Sequence, residues 1–327
     1  MLKTLFAAAA TVFVAQCAVP NFYKDVDRIF WVVQDVDRSA AGWKALGVGD
    51  ADPVQGVKSP IKYRTGSLEN RCRWAVGWFG DVTIDLIQPL SNTGTFADFK
   101  RRHGGQGIAA LIHRVPTRAA LDEEISRMAG LGVDVLERGK VAGNESADYV
   151  LFDTEPDGKY VLGLVLYAGS DEVRPKAPHS GRKVAQYAFV AHDLKAVAQY
   201  WAKLGFPEMT FTHPTLWDLR YHEGAGAFDA LLGWQRHGRV VYEWIQPLKG
   251  PTVYEDQMKA HGEGLHHLAL DVEDIDHESS EWTRKGFPFV QGGAWGERDK
   301  PGYGRFAYQN TQALGGTDVE LLWNYRP

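Results

Sequence analysis

The sequence predicts an α+β fold of two tandem domains, each built from two units of one strand, one helix and three strands. Three observations lead to it. The 327 residues exceed the roughly 250 to 300 at which one hydrophobic core stops growing. Blocks of sequence recur at a fixed separation, and each half of the chain alternates short apolar strands with capped amphipathic helices.

Three blocks recur in the same order along the chain. They are VVQDVDRSAAGWKALG (32–47) with VAHDLKAVAQYWAKLG (190–205), DLIQPL (85–90) with EWIQPL (243–248), and GIAALIHRV (107–115) with GLHHLALDV (264–272). The separation is 158 residues for the first two pairs (190 minus 32) and 157 for the third (264 minus 107), so one residue has been gained or lost. The chain therefore contains a duplication.

Each copy repeats a smaller pattern of elements. In the second copy a strand at 184–191 precedes a helix that Asp193 caps and Gly205 ends. Extended stretches follow near 216–221, 228–234 and 239–246, and the order then returns with further elements. These are a strand at 264–272, a helix at 275–285 and strands near Phe287, at 305–310 and at 317–323. In the first copy Asp35 and Thr117 cap the two helices.

The predicted boundaries follow from this pattern. Domains at 23–168 and 184–325 flank a linker at 169–183, which is rich in proline and glycine and lacks apolar periodicity. Residues 1–18 hold one lysine, an apolar run and small residues, as a secretory signal does. The expected location is then periplasmic or secreted, with lipidation of Cys17 left open, or cytoplasmic if the segment is not a signal. After removal of a signal, Cys72 is the remaining thiol, which excludes a disulfide framework.

Composition narrows the possible partners. With 36 basic and 41 acidic residues the net charge is -5, and no basic stripe exists to hold phosphates, which argues against nucleic acid. No apolar run reaches the roughly 20 residues of a membrane span. The 11 Trp, 13 Tyr and 15 Phe suit strand-rich domains with apolar pockets. We expect a monomer or homodimer that binds a small-molecule substrate.

Three segments of the second copy resemble a known family. In sequence and in order they are similar to the vicinal oxygen chelate superfamily. The segments are EWIQPL at 243–248, HGEGLHHLALDVEDID beginning at His261 and GGTDVELLW beginning at Gly315. That superfamily includes glyoxalases, bleomycin-resistance proteins and extradiol dioxygenases, and the second copy is most similar to glyoxalase I and methylmalonyl-CoA epimerase. The resemblance implies that each domain curls a mixed sheet around a cup-shaped site.

The resemblance also implies a metal site in the second domain. Its ligand positions fall on Gln186, Glu243, His267 and Glu320. An imidazole, two carboxylates and an amide oxygen suit one divalent ion, Zn, Ni, Co or Mn in preference to Fe.

The residues themselves support this interpretation. Glu243 and Glu320 lie inside apolar strands, YEWI and VELL, where an unpaired carboxylate is costly, so a metal or cationic partner is expected. His266 and His267 should point to opposite faces of their strand, so that one faces the interior of the sheet. The alternative for His267 is an ordinary, hydrogen-bonded core histidine.

The first copy departs from the ligand pattern. Its matching positions are Arg28, Asp85, Ala110 and either Leu162 or Gly163, depending on where the one-residue gap falls. Arg28 is expected to form a structural ion pair with Asp85. The first domain would then be degenerate, a scaffold or a wall of the pocket without metal ligands.

The resemblance implies a lyase or isomerase reaction. A proton next to a carbonyl of a small substrate is removed, and the metal stabilises the resulting enediolate. Glu320 is the first candidate for the base and Glu243 the second. Arg298, Lys300 and Tyr303, in the loop before the seventh strand, are candidates for holding an anionic substrate group, unless that loop is a solvated turn.

Two other functions stay open. A small-molecule binding protein of the bleomycin-resistance type would not need Glu243, His267 and Glu320 together. A ring-cleaving dioxygenase needs two histidines and one carboxylate for iron, and Gln186 stands where the first histidine is expected.

Overall fold

The computed structural model describes residues 19–168 and 182–326. The predicted signal at 1–18, including Cys17, and most of the predicted linker at 169–183 lie outside the described residues. No helix of the described residues is long and apolar enough to cross a membrane. Cys72 is buried and is a free thiol.

The first domain is a closed barrel of eight strands, hydrogen-bonded in the order β1-β4-β3-β2-β6-β7-β8-β5. The strands are β1 (Arg28–Val32), β2 (Gly49–Tyr63), β3 (Gly66–Phe79), β4 (Val82–Pro89), β5 (Gly107–Arg114), β6 (Val135–Val141), β7 (Asn144–Phe152) and β8 (Val161–Tyr167). Its helices are α1 (Val36–Leu46), α2 (Thr95–Arg102), α3 (Arg118–Gly130) and α4 (Glu155–Gly158), after a 3₁₀ helix at Asn21–Lys24. The barrel closes where the end of β2 pairs with β6.

The second domain is a ten-stranded curled sheet, in the order β10-β13-β14-β9-β15-β18-β17-β16-β11-β12. The strands are β9 (Val184–Val190), β10 (Thr210–Thr212), β11 (Leu216–Tyr221), β12 (Gly224–Ala225), β13 (Asp229–His237), β14 (Val240–Lys249), β15 (Gly264–Asp271), β16 (Phe289–Trp295), β17 (Gly304–Gln309) and β18 (Asp318–Asn324). The helices are α5 (Leu194–Lys203), α6 (Val253–His261) and α7 (Ile275–Arg284), with a 3₁₀ helix at Gln312–Leu314.

One difference between the domains opens the second sheet. In the first domain the single strand β2 pairs with β3 along its length and reaches β6 at its end. In the second domain the same part of the chain is divided, so that β10 pairs with β13 while β11 pairs with β16. Residues 213–215, including Pro214, connect the two pieces. The second sheet is therefore an open cup.

The predicted α+β architecture with paired units is confirmed. Asp35 and Asp193 each accept hydrogen bonds from two backbone N–H groups of the following turn, and Thr117 accepts one. The helix α6 lies between the stretches predicted at 239–246 and 264–272, where the sequence analysis places no element. It begins with a capping box in which Thr252 and Glu255 bond each other's backbone, a signature visible as T-V-Y-E in the sequence.

The two domains contact each other in a symmetric manner. Nδ1 of His103 lies 2.6 Å from the carbonyl oxygen of His261, and Nδ1 of His261 lies 2.9 Å from the carbonyl oxygen of His103. Helix α4 packs against α5, and the 3₁₀ helix Gln312–Leu314 packs against α1, so equivalent elements meet across the interface. One hydrophobic core runs through both domains.

The interior of the first barrel is filled by side chains. Arg28 lies 3.0 Å from Asp85 and donates to the hydroxyl of Tyr167 at 2.9 Å. Trp74 donates to Asp85 at 2.8 Å through its indole N–H. Arg28 also lies 3.5 Å from Asp27, and Arg28 and Asp85 are 2% and 0% exposed, so the carboxylate of Asp85 depends on Arg28 for compensation. Burial raises the pKa of Asp85 although Arg28 opposes the shift.

We expect the Arg28→Met variant to lose about 3 to 5 kcal/mol of unfolding free energy, because it leaves the carboxylate of Asp85 buried without a cation. The double variant Arg28→Met/Asp85→Asn removes both charges and keeps an acceptor for Trp74, so it should recover most of the loss. Urea titration followed by far-UV circular dichroism measures the difference. Equal stability of the single and double variants would contradict the ion-pair interpretation.

Candidate metal centre

Four neighbouring strands carry the predicted ligands. The sheet order places β14, β9, β15 and β18 side by side, with Glu243, Gln186, His267 and Glu320 on them respectively. Small residues lie between these side chains, since Ala188 pairs with both Glu243 and His267, and Ala269 pairs with both Gln186 and Glu320. The four polar side chains therefore face a common space on the concave side of the sheet.

The structure brings three of the four residues together. Nε2 of His267 lies 3.2 Å from Oε2 of Glu320 and 3.5 Å from Oε2 of Glu243. One ligand atom from each residue lies within 4.8 Å of the others. The three residues are 0%, 4% and 7% exposed, respectively. Two carboxylates are thus held close together, away from solvent, with one imidazole between them.

The charges in this cluster oppose one another. Burial lowers the pKa of His267, but the carboxylates of Glu320 and Glu243 outweigh burial and raise it to about 9. Burial raises the pKa of Glu243, and the nearby Glu320 carboxylate adds to that shift. The protonated imidazole supplies one positive charge for two acidic groups, so the cluster favours a further cation.

Unpartnered atoms at the same place agree with a cation site. Oε2 of Glu243 and Oε1 of Gln186 are buried and have no hydrogen-bond partner within the described chain. Such atoms are costly unless a ligand satisfies them. Two carboxylates, one imidazole and one amide oxygen suit a divalent ion of borderline or hard character. The residues present therefore fit a metal, and the assignment of each as a ligand stays a prediction.

The expectation that His266 and His267 face opposite sides of the strand is wrong. In the pairing of β15 with β9, Leu265 lies opposite Phe189 and His267 opposite Ala188, so His266 forms a bulge. A bulge inserts one unpaired residue and interrupts the alternation of side chains. Nδ1 of His266 consequently lies 2.7 Å from Nδ1 of His267.

The contact between the two rings fixes their tautomers. Nε2 of His266 lies 3.3 Å from the carbonyl oxygen of Val253, which accepts hydrogen bonds and cannot donate. His266 therefore donates through Nε2 and accepts through Nδ1 from the Nδ1–H of His267. In the neutral ring of His267 this leaves the lone pair of Nε2 directed towards the two carboxylates.

A cavity of about 410 Å³ lies over the cluster. Its walls are mainly apolar and aromatic side chains that surround Gln186, Glu243 and Glu320, and they include Leu216, Phe228, Leu232, Trp234, Tyr254, Trp295, Phe306, Tyr308 and Leu322. Thr212 and Pro214, at the division between β10 and β11, also line it. The opening of the second sheet thus creates the space above the cluster.

Two tyrosines beside the cluster were not found from the sequence. The ring of Tyr308 packs edge-on against His267, and its hydroxyl lies 3.0 Å from the hydroxyl of Tyr254. Burial, followed by the charges of Glu243 and Glu320, raises both pKa values well above the ordinary range, so both phenols stay protonated. Tyr254 belongs to helix α6, and the capping box of Thr252 and Glu255 is the sequence signal that indicates this helix.

The three predicted substrate-binding residues lie elsewhere. Arg298 sits over the ring of Trp217 at 5.1 Å, Lys300 pairs with Glu297 at 3.4 Å, and Tyr303 stacks against Trp217. Among the described residues that line the cavity, none of the three is present. Their role in substrate binding stays a prediction.

The pairing of strands in the first domain decides which residue replaces Glu320. Ala110, which corresponds to His267, pairs with Val161, as His267 pairs with Asp318. Glu320 stands two residues after Asp318, so its counterpart is Gly163 and not Leu162. A Cβ at Gly163 would lie 2.3 Å from Cδ1 of Ile112, so no larger side chain fits there without rearrangement.

Comparison with known proteins agrees with this architecture. The search of solved structures finds a triple mutant of 4-hydroxymandelate synthase from Streptomyces coelicolor, at 19% identity and a TM-score of 0.58, covering 93% of this chain and 94% of that one. A fusion of a xylose isomerase-like TIM barrel with 4-hydroxyphenylpyruvate dioxygenase matches at 16% identity and a TM-score of 0.56, covering 92% of this chain. This chain spans about half of the fusion protein, 49% of its length.

A third match is the Mn(II)-bound glyoxalase from Novosphingobium aromaticivorans, at 17% identity and a TM-score of 0.48, covering 93% of this chain and 83% of that one. The first two matches, at identities of 19% and 16%, show a shared fold and nothing finer. No curated protein sequence matches the chain.

The family profile gives the stronger result. The profile of the glyoxalase/bleomycin resistance protein/dioxygenase superfamily matches residues 27–152 and again residues 185–308, one match in each domain. The chain therefore belongs to the glyoxalase/bleomycin resistance protein/dioxygenase superfamily, with one family unit in each half.

Proposed function

We propose that the second domain is an enzyme site that binds one divalent metal ion and removes a proton next to a carbonyl of a small substrate. The observation that carries this proposal is the buried cluster of Glu243, His267 and Glu320 at the floor of an apolar cavity. A buried pair of carboxylates beside an open cavity is costly for stability, and such cost is typical of functional sites.

Glu243, His267 and Glu320, with the amide oxygen of Gln186, would hold the ion. A bound divalent ion would supply Lewis acidity, polarising a carbonyl and stabilising the charge left on its oxygen when the neighbouring proton leaves. Zn, Ni, Co and Mn suit this mixed nitrogen and oxygen donor set.

The protein's own groups would move the proton. Glu320 lines the cavity and is the first candidate for the base, because its carboxylate lies beside the place where the substrate carbonyl would sit. Glu243 also lines the cavity and is the second candidate. Tyr254 and Tyr308 line the same cavity, and because one hydroxyl donates to the other, the remaining O–H is the one that could donate a hydrogen bond to a substrate oxygen.

Ring cleavage or another oxygen-dependent reaction is the second candidate function. The superfamily includes dioxygenases, and the bulge brings a second imidazole, that of His266, next to His267. The nitrogens of His266 contact His267 and Val253 in this conformation, so it lies outside the predicted donor set. Oxygen consumption by protein loaded with Fe(II), compared with protein loaded with Mn(II), separates the two chemistries.

We expect about one divalent ion per chain, and its loss in the His267→Ala variant. Because the pKa of His267 lies at about 9 in the metal-free protein, a proton competes with the metal below that pH. Metal affinity should therefore rise by about tenfold per pH unit between about pH 6 and pH 8. Elemental analysis and competition with a chelator measure both quantities. Two ions per chain would count against a single site, and no ion after growth with added metal would count against the proposal and favour a binding protein.

His266 is expected to position the metal-binding imidazole. Replacing His266 by Phe keeps a ring but removes the acceptor for the Nδ1–H of His267, so metal affinity should fall by roughly 10- to 100-fold, as for other outer partners of ligands. The His266→Gln variant can restore an acceptor and should recover part of the loss. Unchanged affinity in the Phe variant, with unchanged thermal stability, would show that the contact between the rings is incidental.

The Glu320→Gln variant should keep metal and fold but lose its base. The amide preserves shape and one oxygen ligand yet cannot accept a proton, so exchange should slow by roughly 100- to 10,000-fold. The measurement follows deuterium incorporation from D₂O by NMR into small 2-oxo acids and thioesters that carry a C–H next to the carbonyl. Near-normal exchange by the metal-loaded variant would exclude Glu320 and leave Glu243 as the candidate base.

A further inference from the structure

One cationic side chain stands in the wall of the cavity. Arg236 lies on β13, on the face that also presents Ala230, Leu232 and Trp234 to the cavity. Trp234 pairs with Glu243 across β13 and β14, so Arg236 lies two residues from the row of the metal cluster. Side chains two apart on a strand point to the same side, which aims the guanidinium at the space above the cluster.

This guanidinium has no acidic partner of its own. In the described part of the chain, Arg236 makes no ion pair or side-chain hydrogen bond, and it is exposed to solvent. By contrast, Arg239 pairs with Asp25, and Arg305 pairs with Asp276 at 2.7 Å. Arginine stays charged at every physiological pH and presents several N–H donors in one plane. Among the described residues, none competes with a ligand for the N–H groups of the Arg236 guanidinium.

The charge of the cavity becomes favourable for an anion when the metal is present. A divalent ion held by Glu243 and Glu320 cancels their two negative charges. Of the remaining described residues that line the cavity, Arg236 is the one cationic side chain and Asp271 the one acidic side chain. Asp271 is exposed and belongs to β15, which β14 and β9 separate from β13, so water screens it from Arg236.

The remaining residues of the cavity wall favour a substrate with an apolar group. Trp234, Phe228, Phe306 and Trp295 provide aromatic surface, and Leu232 provides aliphatic surface. The volume of about 410 Å³ is at the small end of the 300 to 1,000 Å³ of typical ligand pockets. A compact substrate with one ring or a branched aliphatic group fits this space.

We propose that Arg236 binds the carboxylate of a compact aromatic or aliphatic substrate, whose carbonyl faces Glu243, His267 and Glu320. Planar guanidinium and planar carboxylate match in two parallel N–H···O hydrogen bonds, which gives direction as well as affinity. The position of the carbonyl rests on the proposed function, whereas the anion site at Arg236 needs the bound metal but not the removal of a proton.

The test compares two ligands that differ in charge and hardly in shape. Calorimetry measures the binding of 3-phenylpropionate and of its neutral amide, 3-phenylpropionamide, to the metal-loaded protein and to protein treated with EDTA. The carboxylate should bind roughly tenfold more tightly than the amide, because a charged hydrogen-bonded pair at a partly exposed site changes affinity by about that factor. The Arg236→Gln variant should lose this preference, and Arg236→Lys should keep part of it.

Two further variants provide controls. Arg38→Gln changes an exposed arginine on α1 of the first domain and should leave the preference unchanged. Arg298→Gln tests the loop that the sequence suggested, and it should also leave the preference unchanged.

Each remaining outcome overturns the proposal. If the preference persists in Arg236→Gln and disappears on EDTA treatment, the carboxylate sits at the metal. If it is lost in Arg298→Gln instead, the anion site is in the loop. If neither ligand binds at millimolar concentration, the substrate class is wrong. Failure of the proposed function has a different signature, because metal-loaded protein that removes no substrate proton can still show the preference that depends on Arg236.

Discussion

The burial of two carboxylates, Glu243 and Glu320, inside an apolar curled sheet is the constraint on which the second domain depends. At this depth the two acids repel each other, and the imidazolium of His267 compensates one of them. A divalent ion bound there, as we propose, would resolve the conflict, because it would neutralise both acids and satisfy oxygen atoms that described protein groups leave unpartnered. The open strands and aromatic walls around the cluster would give a substrate access to such an ion.

In the first domain, a protein side chain compensates the buried carboxylate. Arg28 compensates Asp85 at the equivalent depth, Ala110 replaces the histidine, and Gly163 leaves space that Ile112 and other apolar side chains fill. Buried apolar side chains pack the interior of this closed barrel. It contacts the second domain symmetrically through His103 and His261.

Two local departures from regular strands shape the candidate site. Division of one strand near Pro214 opens the sheet and creates the cavity. The bulge at His266 turns two neighbouring imidazoles to one side, so that one fixes the tautomer of the other. The equivalent bulge occurs at Ala109 in the first domain, where Phe30 pairs with Ala110 and Trp31 with Ile108. The bulge is thus present in both domains. The side chains at this position decide whether imidazole groups are brought together there.

The sequence by itself determined the duplication, the order of elements and the acidic and imidazole groups that meet at the centre of the second sheet. The duplication and the order of elements follow from repeated blocks, periodicity and capping residues, whereas the groups of the site follow from the family resemblance, which the cost of carboxylates in apolar strands supports. Tertiary structure alone decided the bulge at His266, the place of Gly163 and the approach of Tyr254, Tyr308 and Arg236 to the cavity. Each depends on which strands pair and in what register, and pairing between distant segments leaves no periodic signal in one chain.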